Sequence, residues 1–246
     1  MRRRKDKAAE QALKKEQTKQ DLKRKSATKE KIPNIIIACE DEASAPTYFK
    51  MLVAQLKSSR KITPDSFVIA NHTNTHPTGI LEDLKKHKCG FSRKTYKDFR
   101  HKWIVIDRDK ERINGGGHST EDFNNALIQA RRLRVEVAYS NDAFELWYLL
   151  HFHYVDSAIS RDNLLTKVIE KLKACNASKF VHLDKDTIKQ TDYAKYIFEE
   201  LYTLQDTAVK NAKRLMDSYG EGHNPESDNP STTIHKLVEL LNSLCM

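Results

Sequence analysis

Cysteine is scarce and unpatterned. Cys39, Cys89, Cys175 and Cys245 are scattered over 246 residues without a CxxC pair, whereas a disulfide framework shows as dense, regularly spaced cysteines in a short exported chain. The expectation is reduced thiols in a cytoplasmic protein, with Cys39, at the end of an apolar run, acting as a small buried hydrophobe. No stretch approaches the roughly 18 apolar residues of a membrane span, so no membrane-embedded role is expected. Met1-Arg2-Arg3-Arg4-Lys5 begins like the basic part of an export signal, but no apolar segment follows and acidic residues are interspersed. Gly115-Gly116-Gly117 lacks the following GK[ST] of a P-loop, which argues against ATP binding in that manner. There is no internal repeat.

Apolar residues are also thin, at 39% against 31% charged, and the mean hydropathy is −0.70, so part of the chain is expected to be solvated. The net charge of +9 is localised: residues 1–31 hold 13 Lys and Arg against 5 Asp and Glu, and the remaining 215 residues carry 30 basic and 29 acidic groups. This segment has no glycine or proline before Pro33, and only Leu13 and Leu22 are sizeable aliphatics after Met1. Residues 1–32 therefore read as a basic arm, helical or solvated, that buries too little apolar area to join a core. Arg2, Arg3 and Arg4 make it a candidate for gathering nucleic acid by counterion release. A solubilising extension without a partner is the other reading.

After Pro33 the pattern changes. Asn34-Ile35-Ile36-Ile37-Ala38-Cys39 is an unbroken β-branched run, as in a strand of a parallel sheet buried on both faces. Residues 43–56 place Tyr48, Phe49, Leu52, Val53 and Leu56 at helical spacing, with Ser44 as the cap and Pro46 in the first turn. Further strands are predicted at 66–70, 102–106 and 134–139. Helical segments lie between them at 77–99, interrupted near Gly90, and from Ser119 or Thr120 to Leu133. An apolar helix at 143–152 follows the fourth strand. This alternation predicts a doubly wound α/β layer over 33–153. Beyond it strand signals stop, and 161–175, 190–218 and 230–244, the last capped by Ser231, read as helices of an α-helical C-terminal region spanning 154–246.

In an open parallel sheet, functional groups gather past the carboxyl ends of the strands. Glu40, Asp41 and Glu42 follow the first strand, and Asp107 and Asp109 follow the third. Carboxylates a few ångströms apart repel and raise one another's pKa unless a cation sits among them. An all-oxygen set without Cys or His favours Mg²⁺ (or Mn²⁺) over zinc. Each block alone has a plainer reading, as a DxD turn or as acidic residues favourable at a helix N-terminus; together, at equivalent strand ends, they point to a metal site. Asn141 and Glu145 would share one helix face toward the same crevice, or cap that helix. His151 and His153 read as core or rim histidines, and His72 and His76 as loop residues within reach of a phosphate. The three glycines would let a loop above the acidic cluster move. Arg108, Lys110 and Lys236 would neutralise phosphates or make surface ion pairs.

The strand ending in glutamate and the later strand ending in DxD resemble the Toprim fold of primases, topoisomerases and nucleases. More specifically, the blocks Cys39–Glu42, Trp103–Asp109, Ala138–Phe152 and Asn229–His235 resemble the RloB-like family of bacterial defence-associated proteins, and Ser140-Asn141-Asp142-Ala143-Phe144-Glu145-Leu146-Trp147 is the most specific stretch. One residue departs from the pattern: Asp41 stands where glycine usually follows the glutamate, and a left-handed aspartate would preserve the turn.

The resemblance implies a Toprim-like parallel-sheet layer with flanking helices and Mg²⁺-dependent phosphodiester hydrolysis of DNA or RNA, tRNA included, in prokaryotic antiphage defence. Asp107 and Asp109 would hold the metal, with Glu40 a further ligand or the general base, and Glu42, Asn141 and Glu145 beside them. A separate ATPase subunit would be the partner, and the chain itself could form a homo-oligomer. Two other classes stay open: a non-enzymatic effector that binds nucleic acid or a partner on a retained scaffold, and a phosphatase or nucleotide hydrolase using the same carboxylates. The intact Glu and DxD favour the nuclease over the scaffold, and the residues after Asp109 do not match a HAD-type phosphatase.

Overall fold

A computed structural model of the chain describes residues 15–16, 34–57, 66–89, 94–112 and 115–244; Arg2, Arg3, Arg4 and most of the expected arm lie outside the described residues. Residues 1–32 form one unit and residues 33–246 a second, which carries the fold. No helix among the described residues is long and apolar enough to cross a membrane.

All five residues of β1 (Ile35–Cys39) are buried. Side chains alternate along a strand, so Ile35, Ile37 and Cys39 join one apolar cluster and Ile36 and Ala38 another. β1 pairs in parallel with β2 (Phe67–Ile69) on one side and β3 (His101–Asp107) on the other, and β3 pairs in parallel with β4 (Glu136–Asn141). A short antiparallel β5 (Ser231–Thr232) completes the order β2-β1-β3-β4-β5. α1 (Ser44–Lys57) and α4 (Glu145–Phe152) cover one face, and α2 (Pro77–Lys86) and α3 (Thr120–Leu133) cover the other. The expected α/β layer is thus present as a five-stranded, mostly parallel sheet with flanking helices.

The helical C-terminal region comprises α5 (Arg161–Cys175), α6 (Thr191–Leu201), α7 (Gln205–Asp217) and α8 (Ile234–Ser243). Leu164, Val168, Phe198 and Ala208 share one apolar cluster with Tyr48, Phe49 and Trp147. α7 packs along α4, and α6 packs against α1. One core therefore runs from the sheet into the C-terminal helices.

Several local expectations are corrected. The helix expected over 190–218 is split by a 3₁₀ turn at Tyr202–Leu204. The helical segment from Pro77 ends at Lys86, followed by a 3₁₀ turn at Tyr96–Asp98. Ser231 does not cap the last helix: with Thr232 it forms the edge strand, where Thr233 N–H donates to the Tyr139 carbonyl at 2.9 Å and the Ser140 and Thr232 hydroxyls meet at 3.0 Å. Ser44 is not the cap of α1 either. The Asp41 carboxylate accepts from Ala43 N–H at 3.2 Å and Ala45 N–H at 3.1 Å, satisfying amides that a helix start leaves open. Among described non-glycine residues only Asp109 and Arg134 have positive φ, so Asp41 serves as a side-chain cap and not as a left-handed substitute for glycine.

His151 is a core histidine. Its Nδ1–H donates to the Trp147 carbonyl at 2.8 Å and its Nε2 lies 3.4 Å from the Tyr48 hydroxyl. Burial lowers its pKa to about 4. An unfolded histidine titrates near 6.5, so the folded state resists protonation and loses this contribution to stability as pH falls from 6.5 towards 4. A His151→Asn variant is expected to be less stable than wild type at pH 7.5, and the gap should narrow by about 3 kcal/mol on acidification to pH 4. Urea unfolding of both proteins at stepped pH checks this; a constant gap would contradict it.

Candidate active site

The strand order places the winding reversal between β1 and β3, where connections depart to opposite faces and open a crevice at the carboxyl ends of the strands. Glu40 and Asp107 stand at that point. Glu40 N–H donates to the Val105 carbonyl at 3.0 Å, extending the ladder by one residue, and Asp107 N–H donates to Glu40 Oε2 at 3.0 Å. A cavity of about 390 Å³ lies here, lined by Glu40, Asp41, Asp107, Asp109, His118 and Arg161, with Thr75, His76, Lys189 and the glycine loop at its border.

The loop after β3 folds back on itself to deliver His118. Asp109 N–H donates to the Asp142 carbonyl at 2.9 Å, and His118 N–H donates to the Asp109 carbonyl at 2.7 Å. Gly117 makes this possible: its φ is +82°, and a Cβ there would stand 2.5 Å from the Lys110 carbonyl oxygen and 2.6 Å from that of Asp109. The result is a 2.5 Å contact between His118 Nε2 and Glu40 Oε1. Burial alone would lower the His118 pKa, but the bond to Glu40 and the charges of Glu40, Asp109 and Asp122 outweigh it and raise it above the ordinary value. Gly117→Ala is expected to cost about 1–3 kcal/mol through backbone strain, lowering the melting temperature by about 5 °C. Differential scanning calorimetry reads this directly, and an unchanged melting point would show that the loop does not depend on the left-handed turn.

Carboxylates crowd the crevice. Burial raises the Asp107 pKa well above the usual carboxylate range, the charges of Glu40 and Glu145 raise it further, and Arg161 and Lys189 counter them. Burial and Glu145 also push Asp41 up to about 6, against the N–H groups it caps and Lys189. Glu145 is only 1% exposed; its Oε1 lies 3.9 Å from Lys189 Nζ, and its Oε2 is buried without a hydrogen-bond partner among the described residues. Asp109 is the best compensated, with Oδ1 at 2.6 Å from Arg112 Nη1 and Oδ2 at 2.6 Å from Arg161 Nη1.

Of the residues singled out in the sequence, Glu40, Asp107 and Asp109 meet in the cavity, and Glu145 couples to Asp107 and Asp41 through its charge. Asn141 points elsewhere, with Nδ2 donating to the carbonyls of Pro225 at 3.4 Å and Glu226 at 3.3 Å. Glu42 is 82% exposed and lies 3.6 Å from His72. Lys110 and Lys236 are exposed.

Arg108 is corrected: its side chain is 2% exposed, and its guanidinium is spent on His118, Thr120 and Glu226, so it presents no charge to a phosphate. His76 borders the cavity while its Nδ1 accepts from Gly79 N–H as the cap of α2. His118, Arg161 and Lys189 were missed as site residues. The three glycines before His118 were a usable signal; Arg161 and Lys189 follow no motif and arrive through the packing of the C-terminal helices.

The oxygen donors of Glu40, Asp107, Asp109 and Glu145 suit a hard divalent cation, and the unpartnered Glu145 Oε2 is an acceptor with no donor. Among the described residues, however, no three His, Cys, Asp or Glu side chains are arranged to hold an ion. Asp109 is turned to its arginines and Glu40 to His118, so Arg112, Arg161 and His118 supply the compensating charge.

No curated protein and no solved structure matches the chain. A family model does match, over residues 35–241, a span that starts at β1, contains both acidic strand ends and closes in α8. The chain that builds this crevice belongs to the RloB-like protein family.

Proposed function

We propose that the chain is a Mg²⁺- (or Mn²⁺-) dependent, Toprim-type nuclease of a prokaryotic antiphage defence system, hydrolysing phosphodiester bonds of DNA or RNA, tRNA included. One observation carries the reading: Glu40, Asp107 and Asp109 are gathered at the β1/β3 switch point in a cavity whose remaining wall bears Arg161, Lys189 and His118. Acidic groups suited to a cation, facing basic groups suited to an anion, match a phosphoryl group that must be bound and neutralised together.

Asp107 and Asp109 would hold the ion, with Glu40 a further ligand or the base. When bound, the ion polarises a phosphoryl oxygen and offsets the charge that develops on it. Glu40 is oriented by Asp107 N–H and His118, which fixes its carboxylate for taking a proton from the attacking water. His118, 2.5 Å away, holds the Glu40 carboxylate in that orientation and offsets its charge. Family membership supports the defence setting, in which a separate ATPase subunit is the partner.

The test is incubation of the purified protein with end-labelled duplex DNA, single-stranded DNA and total tRNA in Mg²⁺, Mn²⁺ or EDTA, beside Glu40→Ala. Cleavage of one substrate class, abolished by EDTA and by the substitution, is the expected result. Cleavage that survives both would overturn the reading. The pairing of both Asp109 oxygens with arginines favours a second reading, a non-enzymatic effector; binding without cleavage, unchanged by Glu40→Ala, would support it.

A further inference from the structure

We propose that Arg161 and Lys189 form a phosphate-binding wall that receives a single phosphodiester of the substrate strand; this deepens, and rests on, the hydrolase reading of the same cavity. The two cations come from separate segments of the C-terminal region. Arg161 opens α5 immediately after its cap, Ser160, and Lys189 ends the 3₁₀ turn Thr187–Lys189. Both line the cavity that holds Glu40 and Asp107.

The way the cations are held separates them from a structural arginine. Arg108 is 2% exposed and makes directed hydrogen bonds of 3.0–3.2 Å to His118, Thr120 and Glu226. Arg161 is 21% exposed and is held by an ion pair from Nη1 to Asp109 Oδ2 at 2.6 Å, in which the buried Nη1 makes no directed hydrogen bond among the described residues. Lys189 is 38% exposed and lies 3.9 Å from Glu145, beyond hydrogen-bond distance. Cations held by ion pairs rather than by a full set of directed hydrogen bonds can accept a second anion at lower cost, and a guanidinium fork matches two phosphate oxygens at once.

Size narrows the ligand. A cavity of about 390 Å³ lies at the small end of ligand sites and suits one phosphodiester with an adjoining sugar. A phosphate ester anion is the shared chemistry of a strand and of a free nucleotide, and the test separates them.

Calorimetric titrations would be made in EDTA in the Asp107→Asn background, where hydrolysis is off and one repelling carboxylate is gone. The probes are inorganic phosphate, a nucleoside monophosphate and a single-stranded oligonucleotide, and the added substitutions are Arg161→Gln, Arg161→Lys, Lys189→Gln and, as a control on the exposed face of α5, Lys171→Gln. Arg161→Gln and Lys189→Gln are each expected to weaken oligonucleotide binding about tenfold, the loss of one charge-assisted contact. Arg161→Lys should recover part of the loss, and the control should stay within about twofold.

Oligonucleotide affinity indifferent to both cations, with native circular dichroism, would overturn the proposal. So would binding of inorganic phosphate or of the nucleoside monophosphate as tight as that of the strand. If Arg161→Gln fails to fold, Lys189→Gln and Arg161→Lys carry the test. Cation-dependent binding by a protein that cleaves nothing would leave the wall standing and sink the hydrolase reading, whereas Glu40-dependent cleavage with cation-independent binding would sink the wall alone.

Discussion

Asp107→Asn is expected to suppress cleavage strongly and to raise the melting temperature in the same protein. The Asp107 carboxylate is buried near Glu40 and Glu145, whose charges oppose its ionisation, while Arg161 and Lys189 only partly compensate. Removing one of several crowded negative charges relieves repulsion and desolvation. A gain of about 1–2 kcal/mol follows from effects of this kind, which is about 2–6 °C for a chain of this size. Cleavage, by contrast, should fall about 100- to 1000-fold, the usual loss when one electrostatic group is taken from a reaction centre.

Asp109→Asn supplies the opposite sign. Its oxygens pair with Arg112 and Arg161 at 2.6 Å each, so the amide leaves two guanidinium groups under-compensated and the melting temperature should drop. The two variants differ by position alone, and calorimetry on both separates a strained functional charge from a satisfied one. A fall in melting temperature for Asp107→Asn would mean that its carboxylate is held by the fold rather than opposed by it.

Arg108→Met carries the largest expected loss of stability. Arg108 Nε donates to the Glu226 carbonyl at 3.2 Å, Nη1 to the His118 carbonyl at 3.0 Å, and Nη2 to Thr120 Oγ1 and Glu226 Oε1, each at 3.0 Å. The guanidinium also lies 5.7 Å from the centre of the Phe123 ring. One side chain thus ties the DxD segment to the start of α3 and to the loop containing Glu226. Glu226 is 23% exposed, so removing its buried partner costs about 3 kcal/mol, the low end for a buried ion pair, which would lower the melting temperature by about 10 °C. Methionine approximates the aliphatic stem and isolates the loss of charge and hydrogen bonds. Nucleic-acid affinity of the folded fraction should stay unchanged, since the guanidinium faces inward. A variant of wild-type stability with weakened binding would return Arg108 to the phosphate-contacting role its place beside the DxD suggests.

What could be read from the sequence was what local chemistry dictates. β1 and β3 announce themselves because a strand covered on both faces is apolar throughout, and Glu40 and Asp107 stand out because charge follows such runs without a spacer. The start and end of α5 at Arg161 and Cys175 match the helix expected over 161–175.

The misses share a different cause. Ser231 and Thr232 are polar and only two residues long, and they become a strand only because β4 offers an open edge. Asp41, expected as a left-handed stand-in for glycine, instead caps α1 through its carboxylate, a side-chain role that the glycine pattern does not signal. Arg161 and Lys189 reach the carboxylates through the packing of α5 and α6 against α4 and α1, a long-range event that leaves no local pattern.

The most direct test of the central claim is the position of Mn²⁺ in crystals soaked with the ion, located by its anomalous scattering. The account predicts a peak among Glu40, Asp107 and Asp109. A peak confined to other sites, or none while Asp109 keeps both arginines, would contradict a metal-dependent nuclease at this strand junction.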